Sequence, residues 1–228
     1  MNDLKEIILS SAKGKIRDLE VDDNCLIKLS VNNSNEIEKM IDEDKRYHFS
    51  KSREDFLEKW ENKQQKLSED DWFDVVKKIA TENKTRTADK YSRLFARYIN
   101  NTDFLNKLEE CDLTLVDSML EYVTENGGRK DKSLASKICK YLSSWIYDGN
   151  AYSINDSFVR GVLPYYLKSY GIKSKNLDSL RYVEFIDLIT QLEKKVGVLN
   201  KNLIDHIIWY GYKSDPIRYQ IAKQLGKR

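Results

Sequence analysis

Two short stretches hold the residues whose chemistry is most specific. The first, Asn126-Gly127-Gly128-Arg129-Lys130-Asp131-Lys132, places two glycines and three cations ahead of an amphipathic run. Backbone N–H groups at a helix N-terminus, with Arg129, Lys130 and Lys132 beside them, form a natural seat for phosphate. The second, Tyr152-Ser153-Ile154-Asn155-Asp156-Ser157-Phe158-Val159-Arg160, places a carboxylate at the opening of another helix. A carboxylate there stays ionised, because the helix dipole and the free amides favour the anion. It can then stabilise developing positive charge or activate a nucleophile. The plainer use of Asp156 is as a helix cap. For Lys130 and Lys132 the plainer reading is solvated surface. Arg160, one turn beyond Asp156, is placed to pair with that carboxylate or to meet a phosphate.

Other site chemistry has little material to work with. Cysteines 25, 111 and 139 are an odd number without CxxC spacing, which argues against a disulfide framework and a thiolate metal site. They read as small buried hydrophobes. His48 and His206 are the only histidines, too few for a zinc or haem site, so no metal and no cofactor is expected. A weak Mg²⁺ site among the many carboxylates stays open. No apolar run approaches the roughly 18 residues that cross a bilayer. The start, Met1-Asn2-Asp3-Leu4-Lys5-Glu6, has no signal-peptide core and reads as mature cytoplasmic sequence.

Charge is uneven behind a net +2. From Asn35 to Asp74, 13 acidic residues stand against 8 basic ones. From Lys77 to Arg97 the balance reverses to 7 basic against 2 acidic, and from Arg129 to Lys175 to 9 against 3. Two basic segments in a balanced chain suit a polyanion-binding face. Ordinary solvated helix surface is the alternative.

The elements that must position these residues are helices. Two prolines and nine glycines leave few breaks in 228 residues. Ser68-Glu69-Asp70-Asp71 reads as a capping box ahead of Trp72, Val75, Val76, Ile79 and Ala80. Further apolar stripes are Tyr91/Leu94/Phe95/Tyr98 and, capped by Thr114, Leu115/Met119/Leu120/Val123, which stops at Asn126-Gly127-Gly128. Others are Ala135/Ile138/Cys139/Leu142/Trp145, Tyr182/Phe185/Ile186/Ile189/Leu192 and Leu203/Ile204/Ile207/Ile208. Ser214-Asp215-Pro216 starts a last helix. Pro164 predicts a kink or an early end in the helix that Asp156 opens. His206, Trp209 and Tyr210 read as structural. Before Ser68, Leu4, Ile7 and Ile8 suit a short helix, Cys25–Val31 one short strand, and Ser52–Trp60 another helix. The expectation is an all-α or nearly all-α chain. It has an N-terminal extension over 1–67 of unknown role and a helical domain over 68–228.

The order of glycine turn, helix, loop and helix-opening aspartate resembles the helix-hairpin-helix DNA glycosylase superfamily. The hairpin falls at about 114–142 and the aspartate loop at 152–160. Leu203-Ile204-Asp205-His206-Ile207-Ile208-Trp209-Tyr210-Gly211-Tyr212-Lys213 is similar to a closing helix in relatives of that superfamily, with Tyr212 inserted between Gly211 and Lys213. The resemblance spans about 114–213. It implies DNA phosphate held by Asn126, Gly127, Gly128, Arg129, Lys130, Lys132 and Arg160, and Asp156 as the carboxylate that promotes glycosidic cleavage. For a lyase step it implies an amine where Ser133 stands, with Lys132 the adjacent one. Single-step glycosidic cleavage is therefore expected over a bifunctional lyase. The hairpin here is more polar than the family's, the four cysteines of iron–sulfur members are absent, and nothing before Ser68 matches.

Two functional expectations follow. One is a DNA-binding protein that excises a damaged or modified base, its base flipped onto aromatic rings, acting in the cytoplasm and associated with the nucleoid. The other is a non-catalytic helical module that binds DNA or a protein partner. An Asp156 that faces an aromatic-lined cavity favours the first, and one lying flat on the surface favours the second.

Overall fold

The computed structural model describes residues 6–7, 10–11, 14–43, 50–85 and 87–227. Eleven α-helices are found among them, and 71% of the chain is helical with almost no strand. The chain is all-α, as its apolar periods require. They are α1 (Val31–Glu43), α2 (Ser50–Asn62), α3 (Glu69–Glu82), α4 (Asp89–Asn101), α5 (Phe104–Glu109) and α6 (Leu115–Glu125). Then come α7 (Lys132–Tyr147), α8 (Ser157–Ser169), α9 (Tyr182–Val196), α10 (Lys201–His206) and α11 (Pro216–Lys227). No helix among the described residues is long and apolar enough to cross a membrane.

The chain falls into two compact units. One comprises Met1–Arg46, Asp156–Leu180 and Glu184–Arg228, the other Tyr47–Asn155 and Arg181–Val183. Residues 14–43 thus share a unit with α8, α10 and α11. Arg218, fully buried on α11, donates from Nε to the Cys25 carbonyl at 3.0 Å, and the Asn24 side chain reaches Tyr165 Oη of α8 at 3.1 Å. Such bonds tie the N-terminal loop to helices 141 and 193 residues later.

In the unit holding Tyr47–Asn155, α3 lies against α4, and α7 packs on α2, α3, α5 and α6. Its core is formed by Phe95, Phe104, Val116, Met119, Val123, Leu134, Ile138 and Leu142, all fully buried. Ser68 and Asp71 make the expected capping box at α3. Burial pushes the Asp71 carboxyl up. Bonds from Lys59 at 2.7 Å, Lys63 at 2.6 Å and Ser68 more than offset this and hold it well below the usual carboxylate range. Thr114 does not cap α6: its backbone is already helical, at φ −71° and ψ −16°, and its hydroxyl donates to Asp112 Oδ1 at 2.7 Å.

In the other unit, α8 lies along α11, and a one-turn π-helix, Ile207–Gly211, packs on α1 and α8. The strand expected over Cys25–Val31 shrinks to a single antiparallel bridge between Val21 and Ile27. The Asn33 side chain takes the backbone groups a ladder would use, accepting from Glu20 N at 2.8 Å and donating to Glu20 O and Lys28 O at 2.7 and 2.9 Å. Val31 already begins α1. Pro164 does not end α8, which runs on to Ser169. Gly226 lets α11 close on this point, since a Cβ there would lie 3.1 Å from Pro164 Cβ and 2.9 Å from Tyr165 N. Proline there forfeits one backbone hydrogen bond of the helix. Cys25 and Cys139 are buried, and burial pushes the Cys139 thiol well up; Cys111, against expectation, is exposed. Leu4, Ile8 and His48 lie outside the described residues.

Candidate nucleic-acid interface

The glycine turn is built by the end of α6. Amides of Asn126 and Gly127 donate back to Tyr122 O and Thr124 O at 3.1 Å, and that of Gly128 to Val123 O at 2.8 Å. Gly127 sits at φ +77°, so this is a Schellman-type closure, in which a left-handed residue turns the last amides onto the helix end. Gly128 is glycine for a different reason: a Cβ would fall 2.5 Å from Val123 Cγ1 and 2.7 Å from Val123 O. The Asn126 side chain also turns back, donating to Tyr122 O at 2.8 Å. The three residues expected to offer amides to phosphate therefore spend them on closing α6.

The start of α7 is occupied as well. Asp131 is its N-cap; Oδ1 accepts from Leu134 N at 3.0 Å and Oδ2 from Thr87 Oγ1 at 2.6 Å. An anion is already seated on the positive end of the helix. What the turn offers outward is side-chain charge. Arg129 and Lys130 are exposed and have no carboxylate partner among the described residues. Lys132 is half-buried at the first position of α7.

One turn further, α7 holds a residue the sequence reading passed over. Lys137 is only 3% exposed, and its Nζ donates to Ser133 Oγ at 2.9 Å. An amine thus reaches Ser133 from the next turn, a juxtaposition visible as an i,i+4 pair in Ser133-Leu134-Ala135-Ser136-Lys137. The loop before Asp156 is fastened to its surroundings. Asn155 N donates to Ser136 Oγ at 2.9 Å, Ser153 exchanges bonds with Tyr182 Oη at 2.9 and 2.7 Å, and Tyr152 Oη donates to Asp112 O at 3.0 Å.

Asp156 is the N-cap of α8. Its Oδ1 accepts from both Phe158 N and Val159 N, at 2.9 and 3.0 Å, and the residue is 6% exposed. It neither lies flat on the surface nor lines the cleft of about 720 Å³ that begins at Ser157. Arg160 lines that cleft and pairs through Nε with Asp178 Oδ1 at 2.7 Å. Asn126–Lys132 belong to one unit, Asp156 and Arg160 to the other. The same cleft collects Lys175, Lys223, Lys227 and Tyr219. Tyr219, Lys223 and Lys227 are four residues apart on α11, a spacing that was readable as one face. Phe158 supports the Tyr219 ring at 5.1 Å between centroids.

Most other tyrosines are committed to the interior. Burial pushes the phenols of Tyr152 and Tyr166 well up, so they remain hydrogen-bond donors. His206 lies 3.6 Å from Glu38, and Trp209 and Tyr210 are buried in the π-helix. No group of three or more His, Cys, Asp or Glu side chains among the described residues is arranged to hold a metal ion. No protein-family model, curated protein or solved structure matches the chain.

Proposed function

We propose that this chain binds the phosphate backbone of double-stranded DNA on a helical scaffold of the helix-hairpin-helix glycosylase type. The observation that carries the reading is Arg129 and Lys130, both exposed and unneutralised, beside a turn fixed by Gly127 and Gly128. Side-chain cations on a rigid corner bind phosphate without reading base sequence. The order of turn, α7, fastened loop and capped Asp156 supports the same scaffold. Excision of a modified base is the activity this scaffold suggests, with Asp156 as the anion beside the breaking glycosidic bond.

The experiment is fluorescence anisotropy with intact duplexes across a salt series, followed by a panel of lesion-bearing duplexes. Affinity should fall steeply with salt and vary little with sequence. Replacing Arg129, Lys130 and Lys132 by Ala should weaken all duplexes alike; unchanged affinity would remove the turn from the interface. One observation favours a binding module without excision: Asp156 is buried and its Oδ1 holds two backbone amides, a complete structural role. Absence of excision across a broad panel, with binding intact, would decide for that module.

A further inference from the structure

The unit that contains Asp156 carries a second concentration of unneutralised charge, and it is concave. The cleft between α8, the segment 174–178 and α11 has a volume of about 720 Å³. Four cations line it, Arg160, Lys175, Lys223 and Lys227, against one carboxylate, Asp178. That carboxylate is taken up by Arg160 at 2.7 Å. The three lysines have no carboxylate partner among the described residues. Elsewhere in the chain Lys59, Lys63, Lys77, Lys78, Arg93 and Arg97 each sit on an acidic side chain. Lysines crowded without a counter-charge repel one another, and an anion relieves that repulsion.

The cleft is shaped by close helix packing. Gly161 admits Tyr219, whose Oη would be 2.6 Å from a Cβ there, and Gly226 admits the backbone at Pro164 and Tyr165. These contacts hold α11 so that Tyr219, Lys223 and Lys227 line one wall. Lys223 Nζ stands 5.7 Å from the Tyr219 ring centre, which keeps a cation beside an aromatic face. Cations along a concave wall, with a ring among them, match a sugar-phosphate strand.

We propose that this cleft is a second phosphate-binding site for the same nucleic acid, holding the strand by Lys175, Lys223 and Lys227 independently of the Arg129–Lys130 corner. The inference rests on the DNA-binding reading and extends it to a different unit. The test pairs two measurements on the full-length chain. In the first, Lys175, Lys223 and Lys227 are replaced together by Ala and duplex affinity is followed against salt. The variant should bind about tenfold more weakly or worse at 0.1 M salt, with the slope of log affinity against log salt reduced by roughly two to three. In the second, lysine acetylation of the native protein is read by mass spectrometry with and without duplex. The three cleft lysines should be shielded severalfold, whatever the variant's stability. Duplex binding that leaves these lysines as reactive as before, with the triple variant unaltered, would overturn the cleft site and leave the DNA reading standing. A cleft variant that loses binding while the Arg129/Lys130/Lys132 variant keeps it would support the cleft and remove the corner. No duplex binding by the native chain would overturn both.

Discussion

Substituting Asp156 in two ways separates its charge from its cap. Oδ1 receives both the Phe158 and Val159 amides, at 2.9 and 3.0 Å, in a residue only 6% exposed. Asp156→Asn retains an oxygen in that place, and Asn caps helices about as well as Asp. Its loss is the favourable charge at the helix end, about 0.3–1 kcal/mol. Asp156→Ala removes the acceptor from two amides at once and should cost about 1–2 kcal/mol, at the upper end because water reaches the site poorly. In a chain of this size that lowers Tm by roughly 3–6 °C. Urea and thermal unfolding followed by far-UV circular dichroism give both values. The excision panel gives the second half. If the carboxylate stabilises a glycosidic transition state, Asp156→Asn should slow excision about a hundredfold, the equivalent of roughly 3 kcal/mol, while duplex binding persists. An Asp156→Ala variant as stable as the native chain would refute the capping argument. Undiminished excision in Asp156→Asn would remove the carboxylate from the chemistry.

Other outcomes follow from the same geometry. Gly128→Ala should destabilise by more than about 2 kcal/mol, because the new methyl meets the Val123 carbonyl as well as two side chains. Gly127→Ala, with nothing within 4 Å of its Cβ but φ at +77°, should cost only about 1 kcal/mol; equal values in urea titrations would contradict the packing. Asp71 has a depressed folded pKa, so its contribution is present above the unfolded value of about 4 and is lost as pH falls through the folded one. Asp71→Asn should therefore be less stable than the native chain at pH 7, with the gap closing as the solution is acidified. A gap that widens in acid would reverse the sign of this reasoning.

The helices were legible because each buries one stripe, and a stripe needs only local spacing to be read. Trp72/Val75/Val76/Ile79 and Ala135/Ile138/Cys139/Leu142 both lie where the 3.6-residue period put them. The division of the chain was not legible, because it depends on partners far apart in sequence. Nothing local in Cys25 or Asn33 announces Arg218 or the Glu20 and Lys28 carbonyls. The site was half legible. Cations and glycines identified the turn, but the direction of its amides depends on whether Gly127 and Gly128 close the preceding helix or open the next one. They close it. The cleft lysines were missed although Tyr219, Lys223 and Lys227 share a face, because Lys175 comes from a different segment and only folding brings it to the same wall.

Tyr212 yields a final test. It comes directly after the π turn Ile207–Gly211. It is fully buried, with its hydroxyl 2.7 Å from that of Tyr166. Tyr166 in turn donates to the carbonyl of Ile27, itself fully buried. Tyr212 also bonds the Ile27 backbone, so both hydroxyls and Ile27 belong to one buried network. Tyr212→Phe leaves Tyr166 on its carbonyl but removes the bonds to Tyr166 and to the Ile27 backbone, and should cost about 2–3 kcal/mol. Tyr166→Phe strands the buried Ile27 carbonyl and takes one partner from the Tyr212 hydroxyl, and should also cost about 2–3 kcal/mol. In the double variant the bond between the hydroxyls is lost once rather than twice, so the loss should be smaller than the sum of the two. Urea titrations of the four proteins give the coupling directly. Strict additivity would show that the hydroxyls do not act as one network.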